Sequence, residues 1–405
     1  MSASDLPLRS PASVAIFTCI LTQGPLGRIE VGRRTGLSQA AVTKAVAPLL
    51  EAGIVRHDGT LTAAGPSGAP VRVPAPGRPV HPLAAVPGAR SAVGVKVTDD
   101  EVIGVVTGLT AEVERVARVS LADSAVPTVV EAVGEVAGTL LDSAPASLLG
   151  VGVAVSGDID SGAGVVRHSP LLGWEDVPLV ALLERRLGLP VRLENDVRAL
   201  TIAEHWFGLG VRSTTFAVVT IGAGIGCGLY VNGDVVSGAH GVAGELGHLP
   251  LAAGAGGAAG AGGGGGGAPC RCGRSGCVEA VAATWAILRG AREATGDPEL
   301  ALGEAAELAR SGAHPVVRAV FDRAGAAIGT ALAAVANLVG PDTIVLAGEG
   351  TDEFDLYEPA LREAFADNAF GAAVRCAIEV RPHSFDDWAR GAAAALIRSA
   401  VRGRT

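Results

Sequence analysis

Long apolar runs, a leader-like N-terminus and a regular set of cysteines are all missing from the 405-residue sequence. No uninterrupted stretch reaches the roughly 18 apolar residues that a membrane span needs, so no span is predicted. The first ten residues, MSASDLPLRS, lack a basic segment followed by an apolar one, which argues against secretion. Three of the six cysteines are crowded together, and in a chain without an export signal this favours a metal site over a disulfide framework. We therefore expect a cytoplasmic protein.

Aromatic residues and lysine are also scarce, at 3% aromatic and only two lysines, Lys44 and Lys96. Apolar residues still make up 49% of the chain, and its length predicts two or three domains. The net charge of −9 is unevenly distributed, because residues 1–80 carry eight basic and four acidic side chains and the remainder therefore carries −13. A basic end on an acidic body suggests that only the N-terminal end meets nucleic acid.

The first 62 residues have the pattern of a winged helix-turn-helix domain. An apolar helical face near residues 14–21 is followed by a break, a short helix over 28–35 and a third helix capped by Ser38. Asp58-Gly59 then predicts a hairpin between residues 54–56 and 60–62. Residues 63–90 are rich in Pro, Gly and Ala and are predicted to be a linker.

The third helix would enter the major groove and present its polar N-terminal face to base edges. Arg33 and His57 would join the phosphate contacts, and Pro48 is expected to kink the helix one turn beyond the reading residues. An alternative for the three helices is a small subdomain for protein contacts. In the linker, Arg78 could enter the minor groove, and the alternative there is a solvated arginine side chain. The predicted DNA-binding residues are Arg34, Gln39, Thr43, Lys44, Arg56 and Arg78.

Residues 91–405 alternate predicted strands and helices, which indicates α/β layers. Between Ala252 and Ala268 lies a Gly/Ala tract that we expect to be a mobile surface loop, with no chemistry assigned to it. The main predicted strands are 92–97, 101–109, 113–119, 148–155, 191–193, 216–221, 228–231, 343–346 and 378–381, and the main helices are 127–141, 177–187, 197–207, 278–294, 315–339 and 386–402.

A metal site is the sharpest local prediction. Cys270, Cys272 and Cys277 place three thiols within a short glycine-containing segment, and His248 is the best candidate for a fourth ligand. A Cys3His set is closed, which favours a structural zinc ion over a catalytic one. The alternatives are a chance cluster of free thiols and a redox role, although C-x-C spacing differs from the C-x-x-C redox motif.

Three further patterns suggest a ligand cleft. Asn195 and Asp196 lie between a strand and a helix, where the carboxylate could accept a proton from a hydroxyl group, although a helix N-cap pair is the simpler interpretation. Glu245 shares a helical face with His248. Alternating glycines at Gly222, Gly224 and Gly226 allow backbone amides to approach a phosphate, and a tight β-turn is the alternative.

These segments together resemble the ROK family of sugar-responsive repressors, open reading frames and sugar kinases. The resemblance covers the whole chain and includes the winged helix-turn-helix, Ser156-Gly157-Asp158 to Trp174, the glycine loop, Gly241–His248 and the C-x-C-G-x-x-G-C-x-E pattern ending at Glu279. It implies an α/β fold in which the winged helix-turn-helix precedes a two-lobed, actin-like ATPase domain. It also implies nucleotide phosphate at the glycine loop and sugar contacts from Asn195, Asp196, Glu245, His248 and Glu279.

The sequence departs from the family kinases where they carry a D-x-G-G-T phosphate loop. The corresponding residues are Val95–Asp100, with Lys96 at the position of the Asp and neither glycine retained. Asp99 and Asp100 would repel a triphosphate, and Glu349 stands where the adenosine-side loop usually has a glycine. The serine-containing stretch 169–172 also lacks the Asn that the family often has before Gly-Trp, which could alter sugar preference. These departures argue against binding of ATP and magnesium.

The sequence therefore predicts a repressor that binds operator DNA as a homodimer or higher homo-oligomer and responds to a sugar or sugar phosphate. Two rivals remain. One is an active sugar kinase that carries a DNA-binding domain, in which Asp196 would be the catalytic base. The other is a regulator that responds to a protein partner, against which the five retained sugar-site residues argue.

Overall fold

The computed structural model divides into two compact units. The first unit comprises Met1–Val211 and Trp388–Thr405, and the second comprises Arg212–Asp387. The chain therefore leaves the first unit once and returns to it near its C-terminal end. The structure describes residues 6–58, 62–64, 70–72, 81–141, 147–251, 267–382 and 384–403.

Three helices open the first unit: α1 (Pro11–Gln23), α2 (Arg28–Thr35) and α3 (Gln39–Glu51). The Ser38 hydroxyl accepts a hydrogen bond from the backbone N–H of Ala41, so the predicted cap of α3 is confirmed. Gly36 ends α2 in the left-handed conformation that favours glycine. α3 continues through Pro48 to Glu51. The three helices are consistent with a helix-turn-helix domain.

The strand pairing after α3 differs from the predicted hairpin, of which residues 59–61 lie outside the described part of the chain. Strand β1 (Val55–His57) pairs with a strand beyond β2 (Thr62–Ala64) and β3 (Pro70–Arg72), namely β4 (Leu83–Ala85). β2 and β3 pair with each other. Val55 and Leu83 are both buried, so the pairing of β1 with β4 brings apolar side chains together beside the helices. The partner of β1 thus lies inside the predicted linker 63–90.

A five-stranded sheet forms the centre of the first unit, in the order β12-β8-β5-β6-β7. β5, β8 and β12 are parallel, whereas β6 and β7 are antiparallel additions. A small sheet in the order β11-β10-β9 follows β8. The elements are β5 (Ser91–Val97), β6 (Glu101–Gly108), β7 (Val113–Ser120), α4 (Val126–Leu141), β8 (Leu148–Val155), β9 (Asp158–Asp160), β10 (Val165–Ser169), β11 (Trp174–Val177), α5 (Leu179–Leu187), β12 (Val191–Asn195) and α6 (Asp196–Phe207).

The second unit repeats this topology with the strand order β15-β14-β13-β16-β17. β13, β16 and β17 are parallel, and β14 and β15 are the antiparallel additions. The sequence did not predict the helices Leu302–Arg310 and Phe354–Asn368, and it predicted Glu279–Ala282 and Thr284–Thr295 as one helix. The elements are β13 (Thr215–Ile221), β14 (Ile225–Val231), β15 (Asp234–Val235), α7 (Glu279–Ala282), α8 (Thr284–Thr295), α9 (Leu302–Arg310), α10 (Pro315–Val339), β16 (Thr343–Ala347), α11 (Phe354–Asn368) and β17 (Ala377–Val380).

Helix α10 is the core helix of the second unit. Within the described part of the chain it is also the one helix whose length and composition match a membrane span, and 67% of its most apolar window is buried. Gly325 and Gly329 bring it against the backbone of α11, because a Cβ at either glycine would collide with the carbonyls of Tyr357 and Leu361. The apolar composition of α10 is therefore accounted for by packing inside this unit.

The last helix, α12 (Phe385–Arg402), returns the chain to the first unit and packs on its sheet. Gly94 in β5 and Gly152 in β8 face its backbone, and a Cβ at either position would meet Ala389, Ala392 or Ala393. Glycine is required here for close approach of a helix to a sheet. Trp388 at the start of α12 is thereby held beside the end of β5.

Candidate functional site

The predicted metal ligands converge in the second unit. The ligand atoms of His248, Cys270, Cys272 and Cys277 all lie within 4.8 Å of one another. The Cys270 Sγ to His248 Nδ1 and the Cys272 Sγ to Cys277 Sγ distances are both 3.8 Å. Thiolates at about 2.3 Å from a tetrahedral ion are about 3.8 Å apart, so the arrangement fits a zinc-sized cation. The cluster could therefore hold a metal ion.

Tight turns bring the three cysteines together. The N–H of Cys270 donates to the carbonyl of Arg274 at 2.8 Å, and the N–H of Gly273 donates back to the carbonyl of Cys270 at 3.1 Å. Gly273 and Gly276 have φ values of +83° and +77°, a region that L side chains rarely adopt. An isolated bridge between Pro250 and Cys277 joins this segment to the chain that follows His248. The glycines in the motif are thus part of the ligand geometry.

Burial and hydrogen bonding affect the three thiols differently. Burial raises the pKa of Cys270 to about 12 and also raises the pKa of Cys277. The backbone N–H of Arg274 lowers the pKa of the exposed Cys272 thiol. Buried thiols remain neutral at physiological pH unless a metal stabilises their thiolates, so binding would release protons.

Glu279 connects the metal cluster to the glycine loop Gly222–Gly226. The Cys270 thiol lies 3.8 Å from Glu279 Oε1, and the backbone N–H of Ile225 donates to Glu279 Oε2 at 3.4 Å. On the other side of the cluster, His248 Nε2 is 3.9 Å from Glu245 Oε2. If Nδ1 bound a metal ion, Nε2 would carry the proton, with the Glu245 carboxylate as its nearby outer partner.

Glu349 occupies the other side of the glycine loop. Its Oε1 accepts a hydrogen bond of 2.5 Å from the backbone N–H of Ala223. A Cβ at Gly222 would meet the Glu349 carboxylate, so a larger residue at 222 would displace this side chain. The sequence had identified Glu349 as a departure from the family pattern, but it gave no sign that this side chain reaches the loop.

In the first unit, Asp196 forms a buried ion pair with Lys96. Lys96 Nζ lies 2.5 Å from Asp196 Oδ2 and 3.0 Å from Ser156 Oγ, and the Ser156 hydroxyl donates to the same carboxylate oxygen at 2.5 Å. Asp196 Oδ1 accepts from the backbone N–H of Val197 at 2.9 Å. The Lys96 ammonium also lies 5.4 Å from the centroid of the Trp388 ring, within cation–π range. Both carboxylate oxygens are therefore engaged.

These contacts set the protonation of Asp196. Burial alone would raise its pKa, but the Lys96 charge and the hydrogen bonds from Lys96, Ser156 and Val197 outweigh burial and lower the pKa. A carboxylate whose proton affinity is reduced in this way is a poor general base near neutral pH.

Asn195 is the N-cap of α6, as the simpler interpretation of the sequence predicted. Its Oδ1 accepts from the backbone N–H of Arg198, and its amide donates to the carbonyl of Gly157 at 3.0 Å. Beneath it, Glu194 and Arg198 form a buried ion pair of 2.8 Å. Sequence reasoning missed this pair, although its i, i+4 spacing across the start of a helix was visible.

The predicted DNA-binding side chains are exposed on the helical N-terminal region. Gln39, Thr43 and Lys44 are exposed on α3, and Arg56 is exposed on β1. Arg78 lies outside the described residues. The Thr43 hydroxyl donates to the carbonyl of Gln39 at 2.9 Å, and the Gln39 amide donates to the carbonyl of Arg28 at 3.5 Å.

Arg34 is engaged within the chain. Its Nε lies 2.6 Å from Glu30 Oε1, and its Nη1 donates to Gln23 Oε1 at 2.5 Å. Arg33 pairs with the same glutamate at 2.7 Å. These two hydrogen-bonded guanidinium groups lower the pKa of Glu30 to about 2, so it stays ionised at physiological pH.

Comparison with known proteins agrees with this architecture. Two helix-flanked sheets of the same mixed topology define the actin-like ATPase class of fold, shared with regulators and sugar kinases of solved structure. The model of the ROK family matches residues 92–399. The chain belongs to the ROK family.

Two curated relatives, a kinase and a transcriptional regulator, illustrate the range of activities among similar proteins. The glucokinase of Halalkalibacterium halodurans is 32% identical over 213 residues, which cover 50% of this chain and 61% of the relative. The DNA-binding transcriptional dual regulator NagC of Escherichia coli K12 is 25% identical over 400 residues, which cover 96% of this chain and 92% of the relative. The match to the glucokinase thus spans less than two thirds of that enzyme.

Among the solved structures too, a regulator matches more of this chain than a sugar kinase does. A ROK family transcriptional regulator described as a homologue of the Escherichia coli Mlc protein superposes with a TM-score of 0.76 at 23% identity, covering 96% of this chain and 95% of that one. The ROK family glucokinase of Streptomyces griseus, in complex with glucose and AMPPNP, has a TM-score of 0.62 at 25% identity and covers 75% of this chain and 98% of that one.

Proposed function

We propose that the chain is a sugar-responsive transcriptional regulator, acting as a repressor in the cytoplasm. A winged helix-turn-helix within residues 1–62 would bind operator DNA, and residues 91–405 would sense the sugar. Residues 63–90 would connect the two and also supply β4, the partner strand of β1. Support comes from the near full-length match to NagC and from the basic N-terminal region with exposed Gln39, Thr43 and Lys44.

The buried Lys96–Asp196 ion pair is the observation that carries the choice of a regulator over a kinase. A kinase needs a base able to accept a proton and a phosphate loop able to hold a metal-bound nucleotide. Here the only carboxylate that the resemblance assigns to proton transfer is neutralised by Lys96, which stands at the position of the phosphate-loop Asp. The pair favours a site that binds a sugar without transferring phosphate to it.

As the family resemblance implies, we assign the sugar contacts to Asn195, Asp196, Glu245, His248 and Glu279. Zinc bound by His248 and the three cysteines would act structurally, fixing the histidine ring and, through Cys270, the neighbourhood of Glu279. Carboxylate and imidazole groups held in this way would present hydrogen-bond acceptors and donors to sugar hydroxyl groups.

The test begins with selection of an operator from random duplex DNA, followed by anisotropy titration of the zinc-loaded chain with and without a panel of aldoses, amino sugars and their phosphates. One sugar is expected to change operator affinity by about fivefold or more, the usual range of allosteric coupling. Glu245→Gln should lose that response, whereas Glu175→Gln, a well-exposed acidic residue in the first unit, should keep it. Equal sugar affinity with and without operator would rule out the proposal.

A sugar kinase with a DNA-binding domain is the second candidate, favoured by the identity to a glucokinase and the retention of Asp196. It is tested by ADP release with ATP, magnesium and the same sugars, with Asp196→Asn as the control. We expect no sugar-dependent turnover. Turnover that disappears in the variant would place the kinase first.

A further inference from the structure

The glycine loop Gly222–Gly226 lies where α/β proteins bind ligands. It follows β13, and Glu349 follows β16, which is paired with β13 in parallel so that Thr220 lies opposite Ala347. Both segments therefore start at the carboxyl ends of adjacent parallel strands, the edge at which open α/β sheets hold ligands. Successive amides in a glycine-rich turn at such an edge form an anion-binding concavity.

In this chain the anion at the loop is supplied by the protein itself. The N–H of Ala223 donates to Glu349 at 2.5 Å, and the N–H of Ile225 donates to Glu279 at 3.4 Å. Two carboxylates therefore take two of the amides that a phosphate would need, and each would also repel a phosphate by its charge.

The backbone around Glu349 fixes its position. Gly348 has a φ of +94°, and a Cβ there would collide with the main chain of Ile221 at the end of β13, whereas one at Gly350 would collide with the Ile221 side chain. The Thr351 hydroxyl and N–H both bond the carbonyl of Gly348, at 2.8 and 3.0 Å. The side chain between the two glycines is thus presented to the loop by packed main chain.

We infer that Glu349 determines the ligand specificity of the glycine loop by acting as an internal anion that excludes phosphates. The inference deepens the proposed function, because it assigns a residue to the loss of nucleotide binding in a chain that senses sugar. The loop itself keeps its glycines and amides, and Glu349 makes the shorter of the two carboxylate contacts, so substitution of Glu349 should restore part of the anion binding.

Inorganic tripolyphosphate is the probe, because it tests the anion site without an adenosine contact. Titration calorimetry of the full zinc-loaded chain should find no saturable binding by the wild type. Glu349→Ala should gain saturable binding, with a dissociation constant at least about tenfold below the highest tripolyphosphate concentration at which the wild type shows none. Glu349→Gln should show a smaller gain, because glutamine keeps an oxygen that can accept from Ala223 but removes the charge.

Asp352→Asn is the matched control, since it removes one negative charge from an exposed residue of the same short 3-10 segment, Glu349–Glu353. It should bind tripolyphosphate no better than the wild type. The inference is overturned if both Glu349 variants fold, by circular dichroism, and bind no better than the wild type, or if Asp352→Asn gains as much as Glu349→Ala.

The same proteins should be assayed for sugar-dependent operator release. We expect the Glu349 variants to retain it, because Glu349 is not among the assigned sugar contacts. A wild-type chain without any sugar response would contradict the proposed function while leaving the tripolyphosphate result to decide the role of Glu349.

Discussion

At the scale of single residues, Lys96 and Asp196 form a pair whose members depend on each other. Each is buried, and each would be an uncompensated charge without its partner. Breaking a buried ion pair from one side is among the more costly substitutions in proteins, whereas replacing both members is often close to neutral. The pair therefore offers a test that separates its charge from its packing.

Lys96→Met should lower the free energy of unfolding at pH 8 by about 3–5 kcal/mol, because it leaves the Asp196 carboxylate buried alone. The double variant Lys96→Met, Asp196→Asn should recover most of that loss. Urea unfolding of wild type, both single variants and the double variant gives the coupling energy. A Lys96→Met chain as stable as wild type at pH 8 would contradict the described pairing.

The pH dependence of the same variants has a definite sign. In the wild type the folded pKa of Asp196 is lowered, so its stabilisation is present above the unfolded value and is lost as the pH falls through the folded value. In Lys96→Met only burial and the remaining hydrogen bonds act, and burial raises the pKa. The destabilisation should therefore be smaller at pH 6 than at pH 8, and this difference should vanish in the double variant.

Glu30 offers a second test at the residue scale, because it holds Arg33 and Arg34. Glu30→Gln should free both guanidinium groups for phosphate and raise the affinity for non-specific duplex DNA. The slope of log affinity against log salt should steepen by about one to two. Anisotropy across a salt series measures both, with Glu51→Gln, an exposed residue at the end of α3, as the charge-matched control. Equal gains in the two variants would show a mere effect of net charge.

At the scale of elements, the metal segment is tied to α8 through a stack of side chains. Arg271, between two of the cysteine ligands, lies 4.9 Å from the Trp285 ring centroid, and Arg289 lies 5.1 Å from it. The indole on α8 thus contacts a residue whose backbone position depends on the ligand turn.

Zinc removal by a chelator should therefore change the emission of Trp285 among the four tryptophans. We expect the change to disappear in Trp285→Phe and to shrink in Arg271→Gln. Metal analysis should find about one zinc per wild-type chain and loss of zinc in Cys272→Ser, but not in Cys376→Ser, which lies outside the cluster. Zinc retained by Cys272→Ser would remove that residue from the ligand set.

Local patterns predicted most of these elements, and they failed where the deciding contact is distant in sequence. The strands from β5 to β8 and helices such as α10 were correctly predicted, because their apolar periodicity is strong. β4 was missed because its partner β1 is chosen by burial beside the helices, across an intervening hairpin. Nothing in the spacing of Lys96 and Asp196, or of Ala223 and Glu349, shows that folding brings them together.

At the scale of the whole molecule, the resemblance to ROK repressors and the two-fold symmetry of operator sites lead us to expect a homodimer. Sedimentation of the zinc-loaded chain should report twice the monomer mass of 40.3 kDa. A footprint on the selected operator should show two half-sites about 10 base pairs, or a multiple of that, apart. A monomer that protects a single half-site would contradict this prediction.

The placement of α12 has a consequence for synthesis of the protein. Because this helix completes the first unit while residues 212–387 form the second, the nascent first sheet leaves the ribosome without its final covering helix. The face of this sheet around Gly94 and Gly152 stays uncovered while the second unit is translated. The second unit is a continuous segment and is able to fold during this time. At about 5–20 residues per second this interval is on the order of tens of seconds, a period in which chaperones would have an apolar surface to cover.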